Sequence, residues 1–67
     1  MHKVLEDSFI SDLISSKKSV SVYLKNGICL KGILTGADKY ALFLDNGFVQ
    51  MIYKHRVSTI ESSIVNL

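Results

Sequence analysis

The chain has no proline and no tryptophan, a single cysteine, and only 4 glycines among its 67 residues. A lone Cys29 excludes an intrachain disulfide. With His2 and His55 as the remaining candidates, it also falls short of a closed tetrahedral zinc site, so no metal or other cofactor is expected. No run approaches the ~18 consecutive apolar residues that span a membrane. No basic segment followed by an apolar stretch opens the chain as a secretion signal would. No membrane partner is expected, and a single cysteine fits a reducing compartment, so the expected location is cytoplasmic. No linker, repeat or low-complexity run divides the chain, and one domain over residues 1–67 is expected.

The chain is small and apolar. A domain of this length buries only roughly 60% of its unfolded surface, and such domains usually need an additional staple. Disulfide and metal being excluded, association with further copies is the staple that remains. A hydrophobic share of 48% suits a chain that buries surface twice, in its core and between subunits. The net charge of +2 leans toward a polyanionic partner without specifying one. Serines, His55 and Asp38 are present, but nothing around them resembles a catalytic triad, and no enzyme activity is expected.

Periodicity divides the chain in two. Leu5, Phe9, Ile10, Leu13 and Ile14 fall on one side of a helix predicted over about residues 6–17, with Asp7 or Ser8 capping its start. From residue 19 the period becomes two. Val20, Val22 and Leu24 share one face of a strand, and Ser19, Ser21, Tyr23 and Lys25 share the other. Asn26-Gly27 and Asn46-Gly47 both read as tight hairpin turns, since both residues of such a pair tolerate positive φ. Gly36-Ala37-Asp38-Lys39 reads as a further turn, and Gly32 as a bend inside the second strand. Strands are thus expected over about 19–25, 28–34, 40–44, 48–53 and 56–61, with a short tail over 62–67. The fold class is mainly β: an N-terminal α-helix followed by a five-stranded, strongly bent antiparallel sheet that curls into a small barrel. One joint breaks local rules. The link between the fourth and fifth strands is Lys54-His55, where a tight turn normally takes Gly, Asn or Asp. It reads either as a functional turn or as a type I turn that tolerates these residues.

The run Val22-Tyr23-Leu24-Lys25-Asn26-Gly27-Ile28, with Leu30 and Gly32, resembles the first Sm motif in its Hfq form. The run Val49-Gln50-Met51-Ile52-Tyr53-Lys54-His55, followed by Val57-Ser58-Thr59, resembles the second, and Tyr-Lys-His is its hallmark. The similarity to the Hfq family, bacterial Sm-like RNA chaperones, covers about residues 5–61. It implies a hexameric ring that binds small regulatory RNAs and messenger RNAs and promotes their pairing.

The resemblance also implies roles. On a proximal, pore-side face that takes U-rich RNA, Lys54 would supply charge to phosphate and His55 hydrogen bonds to uridine or ribose. Tyr40 would stack on the base, Lys39 stands where the family has glutamine, and Tyr53 serves RNA contact or subunit contact. Glu6 replaces a glutamine that helps hold uridine, and an acid there repels phosphate. The residues alone leave Tyr40 open as a core tyrosine. On a distal face that takes A-rich RNA, adenines would stack on Tyr23 beside Gly27, Ile28, Cys29, Leu30, Lys31, Gln50 and Thr59. Gln50 is open as either a reader of an adenine edge or a hydrogen bond between strands. Cys29 stands where many members have lysine and reads as a small, half-buried hydrophobe. At the rim, Ile14-Ser15-Ser16-Lys17 replaces an arginine-rich patch, leaving Lys17 and Lys18, and Ala37 replaces an aromatic. The competing reading is a structural or protein-binding ring of the same fold with weak or no RNA binding.

Overall fold

The structure is a computed structural model, and it describes residues 7–62; Leu5 and Glu6 lie outside the described residues. Helix α1 covers Asp7–Ser16, within the expected 6–17. Its Ile10 and Leu13 are buried and Ile14 packs beside them, whereas Phe9 stays 37% exposed. The helix stops because Lys17 takes a left-handed conformation, φ 56°. That conformation ordinarily falls to glycine or asparagine and costs an L side chain about 1–2 kcal/mol.

Five antiparallel strands follow: β1 Ser19–Leu24, β2 Cys29–Ala37, β3 Ala41–Asp45, β4 Val49–Tyr53 and β5 Val57–Ser62. Their order in the sheet is β4-β3-β2-β1-β5. The alternation in β1 is as expected, with Val20 and Val22 buried while Ser19, Ser21 and Tyr23 face outward. The core draws Ile10 and Leu13 from the helix together with Val20, Val22, Leu34, Leu42, Leu44, Ile52, Val57 and Ile60. Ile52 comes from one edge strand and Val57 and Ile60 from the other, so the sheet curls until both edges close on one core.

Strand β2 performs the curling. It pairs with β1 through Ile33 and with β3 from Ile33 onward, so it passes from one half of the sheet to the other at that residue. Gly32 lies just before the handover. A Cβ there would sit 2.7 Å from the Asp45 carbonyl oxygen and 3.1 Å from Leu44 Cγ. The glycine is therefore required by close approach of β3. The ladder irregularity falls further on, between Leu34 and Gly36, rather than at Gly32.

Several expected boundaries move. The second strand runs on to Ala37, so Gly36 and Ala37 belong to β2 and the turn falls at residues 38–40. Asp38 explains the shift: its Oδ1 accepts hydrogen bonds from the backbone N–H groups of Tyr40 (2.8 Å) and Ala41 (2.7 Å). Neither Asn-Gly pair forms the expected turn with both residues at positive φ; only Gly27 (92°) and Gly47 (108°) adopt it. At the first, Gly27 N–H donates to the Leu24 carbonyl and Leu24 N–H to the Ile28 carbonyl, which closes a longer loop with the glycine as its last residue. Asn26 acts through its side chain instead, its Oδ1 accepting from Ile28 N–H at 3.1 Å, and at the second turn Asp45 Oδ1 accepts from Gly47 N–H at 3.0 Å. Finally, Lys54-His55 is not a two-residue hairpin. Lys54–Arg56 forms a 3-10 turn, and β4 and β5, at opposite edges of the sheet, do not pair with each other. No described helix is long and apolar enough to cross a membrane.

Candidate nucleic-acid interface

The 3-10 turn is entered from an extended Tyr53 (φ −70°, ψ 132°) and closed by Val57 N–H donating to the Lys54 carbonyl. Three residues per turn send the side chains of Lys54, His55 and Arg56 in three directions about 120° apart. The imidazole of His55 stacks on the Tyr53 ring, with centroids 5.9 Å apart and planes 29° from parallel. Lys54 N–H donates to the Tyr40 carbonyl at 2.8 Å, which fastens the turn to the 38–40 loop. Tyr40 is 68% exposed, so it is not a core tyrosine. The Lys39 ammonium sits 5.6 Å from the centre of the Tyr40 ring, close enough for a cation–π contact.

Thus Lys39, Tyr40, Tyr53, Lys54 and His55 gather where two backbone turns meet. Lys39 and Lys54 also line a depression of about 340 Å3 with Asp7, Asp38 and Ile14. The two N–H bonds it accepts, and secondarily the Lys54 charge, hold the Asp38 carboxyl below its ordinary value of 3.8. The sequence places Asp38 in a turn and gives it no catalytic role; the signal for its part in this loop is an aspartate placed to bond its own backbone two residues on. Glu6, expected in this group, lies outside the described residues.

On the other strand face Tyr23 stands between Cys29 of β2 and Thr59 of β5 in register. Its hydroxyl donates to Glu61 Oε1 at 3.0 Å. That hydrogen bond, with the Glu61 charge, pushes the Tyr23 hydroxyl above its ordinary value of 10.0. Sequence reasoning missed Glu61, because the diagonal contact depends on a register that the sequence does not state. Lys31 and Glu61 flank Ser21 from either side and line a depression of about 370 Å3 with Ser19 and Ser62. Cys29 is exposed rather than half-buried, because it opens β2 on the outward face opposite Tyr23. Gly27 and Ile28 lie in the loop, with Ile28 50% exposed. Leu30 and exposed Gln50 instead line a groove of about 260 Å3 with Leu24, Met51, Tyr53 and Arg56; Tyr23 does not line it. The expected distal group is therefore divided within one chain. Lys17 and Lys18 are exposed between helix and barrel.

Edge strand β4 carries a row of outward apolar side chains: Val49 is 66% exposed, Met51 53% and Tyr53 49%, with Phe48 before them at 80%. An unpaired strand edge with such a row is a surface for pairing with another chain.

The comparisons with known proteins agree with this architecture. A crystal structure described as that of the pleiotropic translational regulator Hfq is 32% identical in sequence, with a TM-score of 0.79 over 82% of this chain and 93% of that one. The family model for the Hfq protein matches residues 5–65. With nearly the whole length matched, the helix and bent five-stranded sheet in place, and the Tyr-Lys-His turn presented at the surface, the chain belongs to the Hfq family of Sm-like RNA-binding chaperones, which are not enzymes.

Proposed function

We propose that copies of this chain close into a hexameric ring, the β4 edge of one against the β5 edge of the next, and that the ring binds single-stranded RNA on two separate faces. U-rich RNA lies on the face formed by Lys39, Tyr40, Lys54 and His55. A-rich RNA lies on the face of Tyr23, Lys31 and Thr59, with Gln50, Leu30 and the Gly27-Ile28 loop completing that face beside it. The ring works in the cytoplasm, where it brings small regulatory RNAs to messenger RNAs and so regulates translation.

The observation that carries this reading is the 2.8 Å bond from Lys54 N–H to the Tyr40 carbonyl. It places an exposed aromatic ring beside a lysine-histidine turn, a stacking surface next to a donor for phosphate, which is the combination that sequence-tolerant single-strand binders use. Closure of the ring repeats the turn around an axis and turns a modest charge of +2 per chain into a focused positive field. It also pairs the free β4 edge and covers Val49 and Met51.

The experiment is a gel shift with oligo-U and oligo-A on the purified ring. Lys54→Ala weakens oligo-U binding and flattens its salt dependence. Tyr23→Ala lowers oligo-A affinity about tenfold and leaves oligo-U binding nearly unchanged. A parent ring that shifts neither RNA refutes the reading, and leaves a ring that serves structure or protein contact.

A further inference from the structure

Lys25 has no role in either RNA face described above, and Arg56 has none beyond lining the groove of Leu30 and Gln50. In the sequence they are 31 positions apart, and only the folded register joins them. The β1–β5 ladder slips between Tyr23 and Leu24: Tyr23 pairs with Thr59 but Leu24 with Val57, so Ser58 is skipped. This bulge swings the end of β1 toward the 3-10 turn. The next rung is Lys25 N–H donating to the Arg56 carbonyl at 2.9 Å. Leu24, Lys25, Asn26, His55 and Arg56 then line one depression of about 410 Å3, within the range of about 300–1,000 Å3 seen for small-ligand sites.

Its charge sets it apart. In two neighbouring depressions the lysines face carboxylates, Lys31 with Glu61 and Lys39 and Lys54 with Asp7 and Asp38. Here the side chains of Lys25 and Arg56 and an imidazole share a wall with no acidic side chain. The Lys25–Arg56 backbone bond brings two like-charged residues to one wall with no carboxylate between them, a grouping that suits an anionic ligand.

The hydrogen-bonding inventory narrows that anion. Asn26 Oδ1 is taken by Ile28 N–H, the Leu24 carbonyl by Gly27 N–H, and the Arg56 carbonyl by Lys25 N–H. Lysine and arginine offer donors only. Two side chains that only donate, on a wall with no acidic side chain, suit a ligand made of acceptors, namely phosphate. Arg56 also lines the groove that holds Leu30 and Gln50, so it stands between that groove and His55.

We infer that Lys25 and Arg56, with His55, form a phosphate-binding subsite that holds an internal phosphodiester of the RNA bound at the Lys54–His55 turn. The inference rests on the reading of that turn as an RNA site and adds a contact to it. The guanidinium of Arg56 grips phosphate oxygens through two parallel N–H bonds, and Lys25 adds a point charge.

The test measures oligo-U affinity against salt concentration for the parent ring, Arg56→Gln, Lys25→Gln and Arg56→Lys, with RNA whose two ends carry hydroxyls only. Both glutamine variants change exposed side chains, and ring mass and circular dichroism establish that they still fold and assemble. The slope of log affinity against log salt falls by about 0.7 for each phosphate contact removed, and uridine preference over adenosine is kept. Arg56→Lys restores the slope more than the affinity, because it keeps the charge and loses the fork. Unchanged slopes in both glutamine variants, with a parent that binds oligo-U, overturn the subsite and leave the RNA reading standing. A parent that binds no oligo-U overturns both. In a parallel arm with end-phosphorylated oligo-U, an effect confined to that RNA also overturns the proposal, since it would show a pocket for RNA ends.

Discussion

Tyr40→Ala separates stacking from structure at the Lys54–His55 turn. The ring is 68% exposed, so truncation leaves no cavity. The loop is held by backbone atoms that alanine retains: Tyr40 N–H to Asp38 at 2.8 Å and the Tyr40 carbonyl from Lys54 N–H at 2.8 Å. Stability should therefore change by less than about 0.5 kcal/mol. Stacking of a base on an aromatic ring is worth about 1–3 kcal/mol. One face of this ring already has the Lys39 ammonium 5.6 Å from its centre, a contact worth about 0.5–1 kcal/mol at an exposed site. A base that displaces the lysine forfeits part of its gain. The net loss in Tyr40→Ala is thus about 1–2 kcal/mol, roughly a 5- to 30-fold rise in Kd for oligo-U. Tyr40→Phe keeps the stacking surface and stays close to the parent. Fluorescence anisotropy with labelled oligo-U measures both, and thermal denaturation controls for folding. Unchanged oligo-U affinity in Tyr40→Ala, or an equal loss for oligo-A, refutes the reasoning.

Gly32→Ala forces a Cβ to 2.7 Å from the Asp45 carbonyl; overpacking of this kind costs about 1–3 kcal/mol, so calorimetry should show Tm lowered by roughly 7–20 °C. The Asp38 carboxyl is held below its ordinary 3.8, so its contribution is fully present above the unfolded value and disappears as pH falls through the lower folded one. Asp38→Ala should accordingly be less stable than the parent in urea at about pH 6 and converge with it in strong acid; an equal gap at both pH values would contradict this. At the rim, Ser15 and Ser16 are exposed beside Lys17 and Lys18. The parent is expected to accelerate annealing of complementary RNAs only weakly, and Ser15→Arg with Ser16→Arg to raise the rate at low salt, the gain shrinking as salt screens it; strong annealing by the parent with no change in the variant would show that the rim does not limit the rate.

What could be read in the sequence was whatever depends on neighbours along the chain. The alternation of Val20 and Val22 against Ser21 and Tyr23 fixed the faces of β1, and the glycines at 27 and 47 marked where positive φ is needed. The Tyr-Lys-His run pointed to the turn, although that turn takes in Arg56 as well. What could not be read depends on register and curvature. The length of β2 follows from Asp38 capping the next loop, and the position of Gly32 from β3 crossing close above it. The Tyr23–Glu61 bond is a diagonal across two strands, and the Lys25–Arg56 neighbourhood arises from one skipped residue in a ladder. Placing β4 and β5 on opposite edges, rather than in one hairpin, likewise required the whole sheet order.

The central claim, two independent RNA faces on one ring, is tested most directly by competition. Labelled oligo-A is bound to the ring at about pH 7 and unlabelled oligo-U is added to saturation, with anisotropy and solution mass followed together. Separate faces predict no displacement of oligo-A and a mass equal to a hexamer of 7.5 kDa chains, about 45 kDa of protein, carrying both RNAs. Release of oligo-A in step with oligo-U binding would show a single shared site and contradict the account.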